Sequence, residues 1–180
     1  NDEPFLTPRI WAEMAEAGVK ISIGRYDEPR LIYTDDIFST GDSPLDERRT
    51  VHLGFDLFAA AGTPLFAPLA GTVYVAKYNA GHLDYGGVIM LKHETDVGDT
   101  FFTLYGHLSK NSAESLQTGQ SIAKGERFAE FGEPHENGGW PPHVHLQIIT
   151  DDLDMRGDFP GVVLASQRSV WRAFSPDPNL

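Results

Sequence analysis

The heptapeptide Pro141-Pro142-His143-Val144-His145-Leu146-Gln147 places two histidines two residues apart at the head of an apolar run. On a β-strand, residues two apart point to one face, roughly 7 Å from each other. Imidazole is the commonest protein metal ligand and a common general base near neutral pH. A pair facing one place therefore suits a metal or a proton relay. Alternating polar residues also mark the solvent face of an ordinary strand, so the pair gains meaning only from what can meet it.

Two other stretches offer partners. Val51-His52-Leu53-Gly54-Phe55-Asp56 carries an imidazole and a carboxylate four residues apart. A straight strand would hold them about 13 Å apart, too far for one ion whose ligands sit at about 2.0–2.2 Å. Gly54 is the residue that permits the bend needed to bring them together. Leu104-Tyr105-Gly106-His107-Leu108 closes an aromatic-rich strand with a further histidine, again beside a glycine. Spacing alone leaves His143 and His145 equally able to reach a metal.

The elements expected to position these residues are short strands. From Thr50 onward, β-prone runs at 51–58, 64–67, 72–78, 87–93, 100–108, 121–131 and 143–150 are separated by Gly, Pro, Asn or Asp. Frequent turns between short strands imply an all-β, mainly antiparallel sandwich or barrel. A helical turn is expected at 112–116. Helices are expected at 10–18, where Ile10, Trp11, Met14 and Ala17 share a face before Gly18, and at 166–174. A strand is expected at 30–34 and a long polar loop at 35–49. The resulting division is an extension over 1–49, a β core over 50–150 and a loop-and-helix extension over 151–180.

Composition narrows the function classes. The 180 residues carry a formal charge of −12, with 14 Lys and Arg against 26 Asp and Glu. With no basic run, nucleic acids and anionic membranes are not expected partners. No apolar run approaches the ~20 residues of a membrane-spanning helix. The absence of cysteine removes disulfides, thiol catalysis and cysteine-ligated zinc. The acidic start Asn1-Asp2-Glu3-Pro4 has no signal-peptide pattern, which suggests a cytoplasmic protein, or an excised part of a longer one.

The order His52-x-x-x-Asp56, His107 in Tyr-Gly-His-Leu, then His143-x-His145 resembles the lysostaphin/LytM-type zinc metallopeptidases. Ala61-Gly62-Thr63-Pro64-Leu65-Phe66-Ala67-Pro68, Gly71-Thr72-Val73 and the Gly119-Gln120 segment match that family's intervening residues, and the likeness covers about 48–150. It implies a mostly antiparallel fold with a groove floored by a sheet. It also implies one zinc on His52, Asp56 and His145, with an open position for a water acidified to near pH 7. His107 and His143 would then handle the proton and hydrogen-bond the developing oxyanion. The implied activity is hydrolysis of a peptide or amide bond. Segments 25–30 and 157–161 are similar to a branch found as a middle domain beside kinase-like and aminotransferase domains, so other domains of a longer polypeptide are expected partners.

The sequence departs from the family in the loop Glu133–Pro142, expected to narrow the groove, and in Leu146-Gln147 after the last histidine. A small peptide or amide is therefore expected as substrate rather than cross-linked wall polymer. His82, His93 and His135 are read as loop or packing residues, and Trp140 as an anchor for its own loop. The alternatives are a silent metal-binding or structural module, and a phosphocarrier-like domain, which Asp56 beside the histidines disfavours electrostatically.

Overall fold

The structure, a computed structural model, describes residues 3–179. Helix α1 (Glu3–Glu16) leads into β1 (Ser22–Gly24), β2 (Glu28–Pro29), β3 (Arg49–His52), β4 (Phe55–Phe58) and β5 (Pro64–Phe66). The long strands β6 (Gly71–Asn79), β7 (Gly86–Glu94) and β8 (Thr100–Leu108) follow, then the short helix α2 (Lys110–Ser115). The chain continues through β9 (Ser121–Ile122), β10 (Arg127–Glu130), β11 (His143–Ile149) and β12 (Val162–Leu164), and α3 (Arg168–Phe174) closes it.

Seven strands form one antiparallel sheet in the order β1-β4-β11-β8-β7-β6-β9. Both faces of its centre are covered, so β7 reads as a continuous apolar run, Val88-Ile89-Met90-Leu91, all fully buried. Ile89 and Leu91 pack on one face with Tyr105, Val144 and the β10 residues Phe128 and Ala129. Val88 and Met90 pack on the other face with Leu104, Ile149, Phe159, Trp171 and Phe174. The C-terminal segment is thus the roof of the second face. Two small sheets, β10-β5 and β12-β3-β2, flank the main one.

The mostly antiparallel β architecture agrees with the sequence reading, and 100–108 is one strand as expected. Several local expectations differ. The run 51–58 is two strands: β3 pairs with β2 and β12, whereas β4 pairs with β1 and β11. The run 121–131 likewise divides into β9 and β10. Residues 30–34 form no strand. Leu31 stands 92% exposed at a turn, while Tyr33 folds back onto Phe38 and Trp140. Apolar side chains there serve a local cluster rather than a ladder. Helix α1 begins earlier than the apolar pattern suggests and carries Pro8 in its first two turns. Both flanks of the β core supply strands: β1 and β2 before it, β12 after it.

Candidate metal centre

On β11, His143, His145, Gln147 and Ile149 share the face roofed by the C-terminal segment, because side chains alternate along a strand. The register sets His145 opposite Asp56 of β4 on one side and Gly106 of β8 on the other. Cross-strand partners point to the same face. The carboxylate of Asp56 therefore lies beside the imidazole of His145, with Oδ1 3.2 Å from Nδ1.

His52 reaches the same point from a different sheet. The chain leaves β3 at His52, bends through Leu53-Gly54, and enters the main sheet at Phe55. The bend brings His52 Nε2 to 3.0 Å from Asp56 Oδ1 and 2.8 Å from His145 Nδ1. Gly54 is required by close approach: a Cβ there would lie 2.6 Å from His145 Cε1 and 2.7 Å from the Leu146 carbonyl.

His107 needs a backbone irregularity to join them. Alternation along β8 would send it to the opposite face from Gly106. The β7–β8 register shifts between Gly87 and Ile89, and His107 has φ +62°. A left-handed histidine costs about 1–3 kcal/mol, and such bulges re-aim a side chain. The result is a His107 ring 4.2 Å from that of His143. His143 Nε2 in turn lies 3.7 Å from Asp56 Oδ1. The structure thus gathers all five residues singled out from the sequence, three in one contact group and two beside it.

Each imidazole has its outer nitrogen tied to an acceptor. Nδ1–H of His52 donates to the Arg25 carbonyl at 3.3 Å, that of His107 to Asn137 at 2.8 Å and that of His143 to Pro141 at 2.7 Å. His145 uses its other nitrogen: Nε2–H donates to Gln147 Oε1 at 2.9 Å. The Gln147 amide is itself held, donating to Ser175 Oγ at 2.9 Å and the Pro160 carbonyl at 3.3 Å. These bonds fix the tautomers. His52 Nε2 and His145 Nδ1 therefore face each other as bare lone pairs 2.8 Å apart, an arrangement that no hydrogen bond satisfies.

A cation satisfies it. His52, Asp56 and His145 each offer one ligand atom, all within 4.8 Å of one another. Tetrahedral zinc needs nitrogen and oxygen ligands roughly 3.4 Å apart, a few tenths of an ångström beyond the observed separations. Two neutral imidazoles and a carboxylate are a zinc donor set with an open position. The residues present fit the metal.

The electrostatics agree with that state. Burial lowers the His52 pKa to about 4, against the opposing pull of Asp56. Burial also lowers His143 and holds His107 well below its usual range, reinforced there by His143. Burial alone would raise Asp56, but the imidazoles of His52, His143 and His145 packed around it hold it well below the carboxylate range. At neutral pH His52, His107 and His143 are therefore uncharged, beside one ionised carboxylate.

Three residues outside the sequence-derived set complete the frame. Arg30 donates NH1 to the second oxygen of Asp56, and its Nε to Glu28 at 3.0 Å. Tyr85 lies over Gly106, where a Cβ would come within 2.3 Å of its ring, and its hydroxyl donates to the Phe159 carbonyl at 2.8 Å. Asn137 holds the loop before β11: its Oδ1 accepts from Trp140 N at 2.9 Å, and its carbonyl orients His107. That loop thus orients a site histidine. Trp140 is buried in the cluster of Tyr33 and Phe38, as a loop anchor, and also lines the cleft. Of the remaining histidines, His93 is packed inside the sheet, His82 is largely exposed beside Asp35, and His135 is exposed in its loop.

The centre lies in a cleft of about 500 Å³. Leu6 and Ile10 of α1, Phe38, Trp140 and Val162 supply apolar lining, with Arg30 and Arg49 among the polar residues. Gly161 lets the roof come close: a Cβ there would lie 2.7 Å from the Tyr85 hydroxyl and 3.2 Å from His145 Cε1.

The family model for Peptidase family M23 matches residues 50–156. An uncharacterized metalloprotease of Haemophilus influenzae is 38% identical over 105 residues, 58% of this chain and 20% of that protein. An L-Ala–D-Glu endopeptidase of Bacillus subtilis is 28% identical over 168 residues, 89% of this chain and 44% of that protein. The chain thus spans less than half the length of either relative. Among solved structures, the catalytic domain of the antimicrobial peptidase lysostaphin from Staphylococcus simulans superposes with a TM-score of 0.53. That match covers 87% of this chain and 88% of the domain at 22% identity, a likeness of fold.

Proposed function

The chain belongs to peptidase family M23, and on that premise we propose that it is a zinc-dependent peptidase cutting a peptide or amide bond in a short substrate. The observation that carries the reading is the pair of bare imidazole nitrogens, 2.8 Å apart beside a carboxylate oxygen, in the wall of an apolar cleft. His52 Nε2, His145 Nδ1 and Asp56 Oδ1 would hold the metal. Zinc, when bound, supplies a Lewis acid and acidifies its water to a pKa of about 7.

The remaining chemistry belongs to the chain's own residues. Arg30 occupies one oxygen of Asp56 and leaves the other for the ion. His143 and His107 are neutral at pH 7 and keep Nε2 free, since Nδ1–H is engaged in both. His143 Nε2 would take the proton lost by the attacking water, hydrogen-bond the oxyanion while protonated, and pass that proton to the leaving amine. The two rings are close enough that the pair holds one extra proton, not two. Both rings are buried, His107 against Tyr85 and both against Trp140.

A short substrate follows from the walls of the cleft: Leu6 and Ile10 of α1 line it together with Trp140. The name of the Bacillus relative makes L-Ala–D-Glu peptides suitable probes beside Gly- and D-Ala-containing ones. Zinc-loaded protein incubated with such a panel and read by mass spectrometry should release defined fragments, and His145→Ala should release none. Bound zinc without cleavage of any member would favour a silent metal-binding module instead.

A further inference from the structure

Arg49 is the lining residue whose charge the site has not used. The other charged groups of the cleft are engaged by the protein itself. Asp56 is paired with Arg30, and Arg30 also with Glu28. Asp158 accepts from Lys77 at 2.8 Å and from Asn79 at 3.0 Å. Asp84 accepts from the backbone N–H of Tyr85 at 2.6 Å. Arg49 has no carboxylate partner among the described residues, in a chain of formal charge −12. What sets Arg49 apart is its place: it is the cation in the cleft that no carboxylate of the described residues neutralises.

The guanidinium is held in place. NH2 donates to the Ile37 carbonyl at 2.6 Å, and the group lies 5.4 Å from the centre of the Phe38 ring. An arginine fixed in this way loses little side-chain freedom when it binds an anion. Its remaining N–H groups form a fork suited to a carboxylate. Trp140 borders the same Phe38 ring, at 6.4 Å between centroids, and its buried indole N–H has no partner.

Position relates Arg49 to the scissile bond. Arg49 begins β3 and His52 ends it. The β3–β12 register shifts between Val163 and Leu164, so the step from Val51 to Arg49 is matched by one residue of β12. The shift leaves Thr50 without a partner on β12, its carbonyl accepting instead from the Arg30 N–H at 2.8 Å, and allows Arg49 and His52, three apart, to line one cleft. Along a strand they are separated by roughly 10 Å, the span of about three extended peptide residues.

We propose that Arg49 forms a carboxylate subsite, which makes the preferred substrate a short peptide bearing a free carboxylate two or three residues from the bond to be cut. The carboxylate is the C-terminus of the peptide or an acidic side chain; the chemistry recognised is the same. The placement of the cut bond rests on the peptidase reading, whereas the subsite itself does not. Arg49 is a specificity residue here and takes no part in the bond cleavage.

The test measures equilibrium binding to the zinc-loaded protein, separately from turnover. Gly- and Ala-containing tripeptides with a central glutamate are made as the free acid, as the C-terminal amide, and with glutamine in place of glutamate. The wild-type chain is expected to bind the matching acid about 10- to 100-fold more tightly than its neutral analogue, the range for a hydrogen bond to a charged group. The amide and glutamine arms tell which carboxylate is read. Arg49→Gln should erase that gap while binding the neutral analogue as before, which a merely structural role would not spare. Arg49→Lys should restore part of the gap. Absence of an acid preference in the wild type overturns the proposal. So does a preference that survives Arg49→Gln, since the metal would then be reading the carboxylate. An Arg49-dependent preference without cleavage leaves the subsite standing and the peptidase reading refuted.

Discussion

His93 and His145 are both buried, at 4% and 2% exposure, and both sit on strands of the same sheet. Their nitrogens tell them apart. His93 Nδ1 meets the Ala70 carbonyl and Nε2 meets Thr103 Oγ1, each at 2.8 Å, and its ring stacks on Phe101. That histidine is complete within the fold. His145 has one nitrogen fixed by Gln147 and the other turned toward His52 and Asp56. Burial marks both; an inward nitrogen that the protein itself does not satisfy marks the site.

The contrast can be broken most severely at the ligands. His52→Ala removes one of three donors and should abolish both stoichiometric zinc and turnover, read by elemental analysis and fragment release. His107→Ala and His143→Ala should keep the zinc yet lose turnover by about 10²–10⁴, the usual contribution of a positioned acid–base group. Loss of metal in both would make them ligands. Arg30→Met frees the second oxygen of Asp56 and should weaken zinc binding by about 10- to 100-fold, as for other residues that orient a ligand. Chelator competition measures that shift, and unchanged affinity would reduce Arg30 to a surface-loop anchor. The smallest functional effect belongs to His93→Gln. It should lower stability by about 1–3 kcal/mol in urea melts, the cost of an unsatisfied buried partner, and leave zinc content unaltered.

How much of this was legible from the chain depended on range. The three candidate ligands and the two further histidines stand out in the sequence because their motifs are short and their order resembles a known family. The bend at Gly54 was argued from the 13 Å problem that a straight strand poses, and the structure meets it by moving the chain between two sheets. Arg30 was missed because its partner Asp56 is 26 residues away. The local pattern around it reads as a strand, whereas Tyr33 turns back to Phe38 and Trp140. The re-aiming of His107 was equally hidden. Its positive φ arises from how β7 and β8 pair, which no single strand records. Gln147 was noticed only as a departure from the family. Its role became visible once its amide was found between His145, Ser175 and Pro160.

The site's frame also explains why flanking segments matter to a core they precede or follow. Arg25 and Arg30 lie before the β core, and Gly161 and Ser175 after it. All four touch the site residues or their immediate supports. A sequence division at 50 and 150 describes where the strand pattern is dense. The candidate metal site is held from both sides of that division.

The most direct test titrates zinc into chelator-stripped wild-type, His93→Gln and His145→Ala proteins side by side, with folding checked by circular dichroism. One tight equivalent is expected in the wild type and in His93→Gln, and none of comparable affinity in His145→Ala. A single equivalent bound with unchanged affinity by folded His145→Ala would contradict the assignment of the paired bare nitrogens as the metal site.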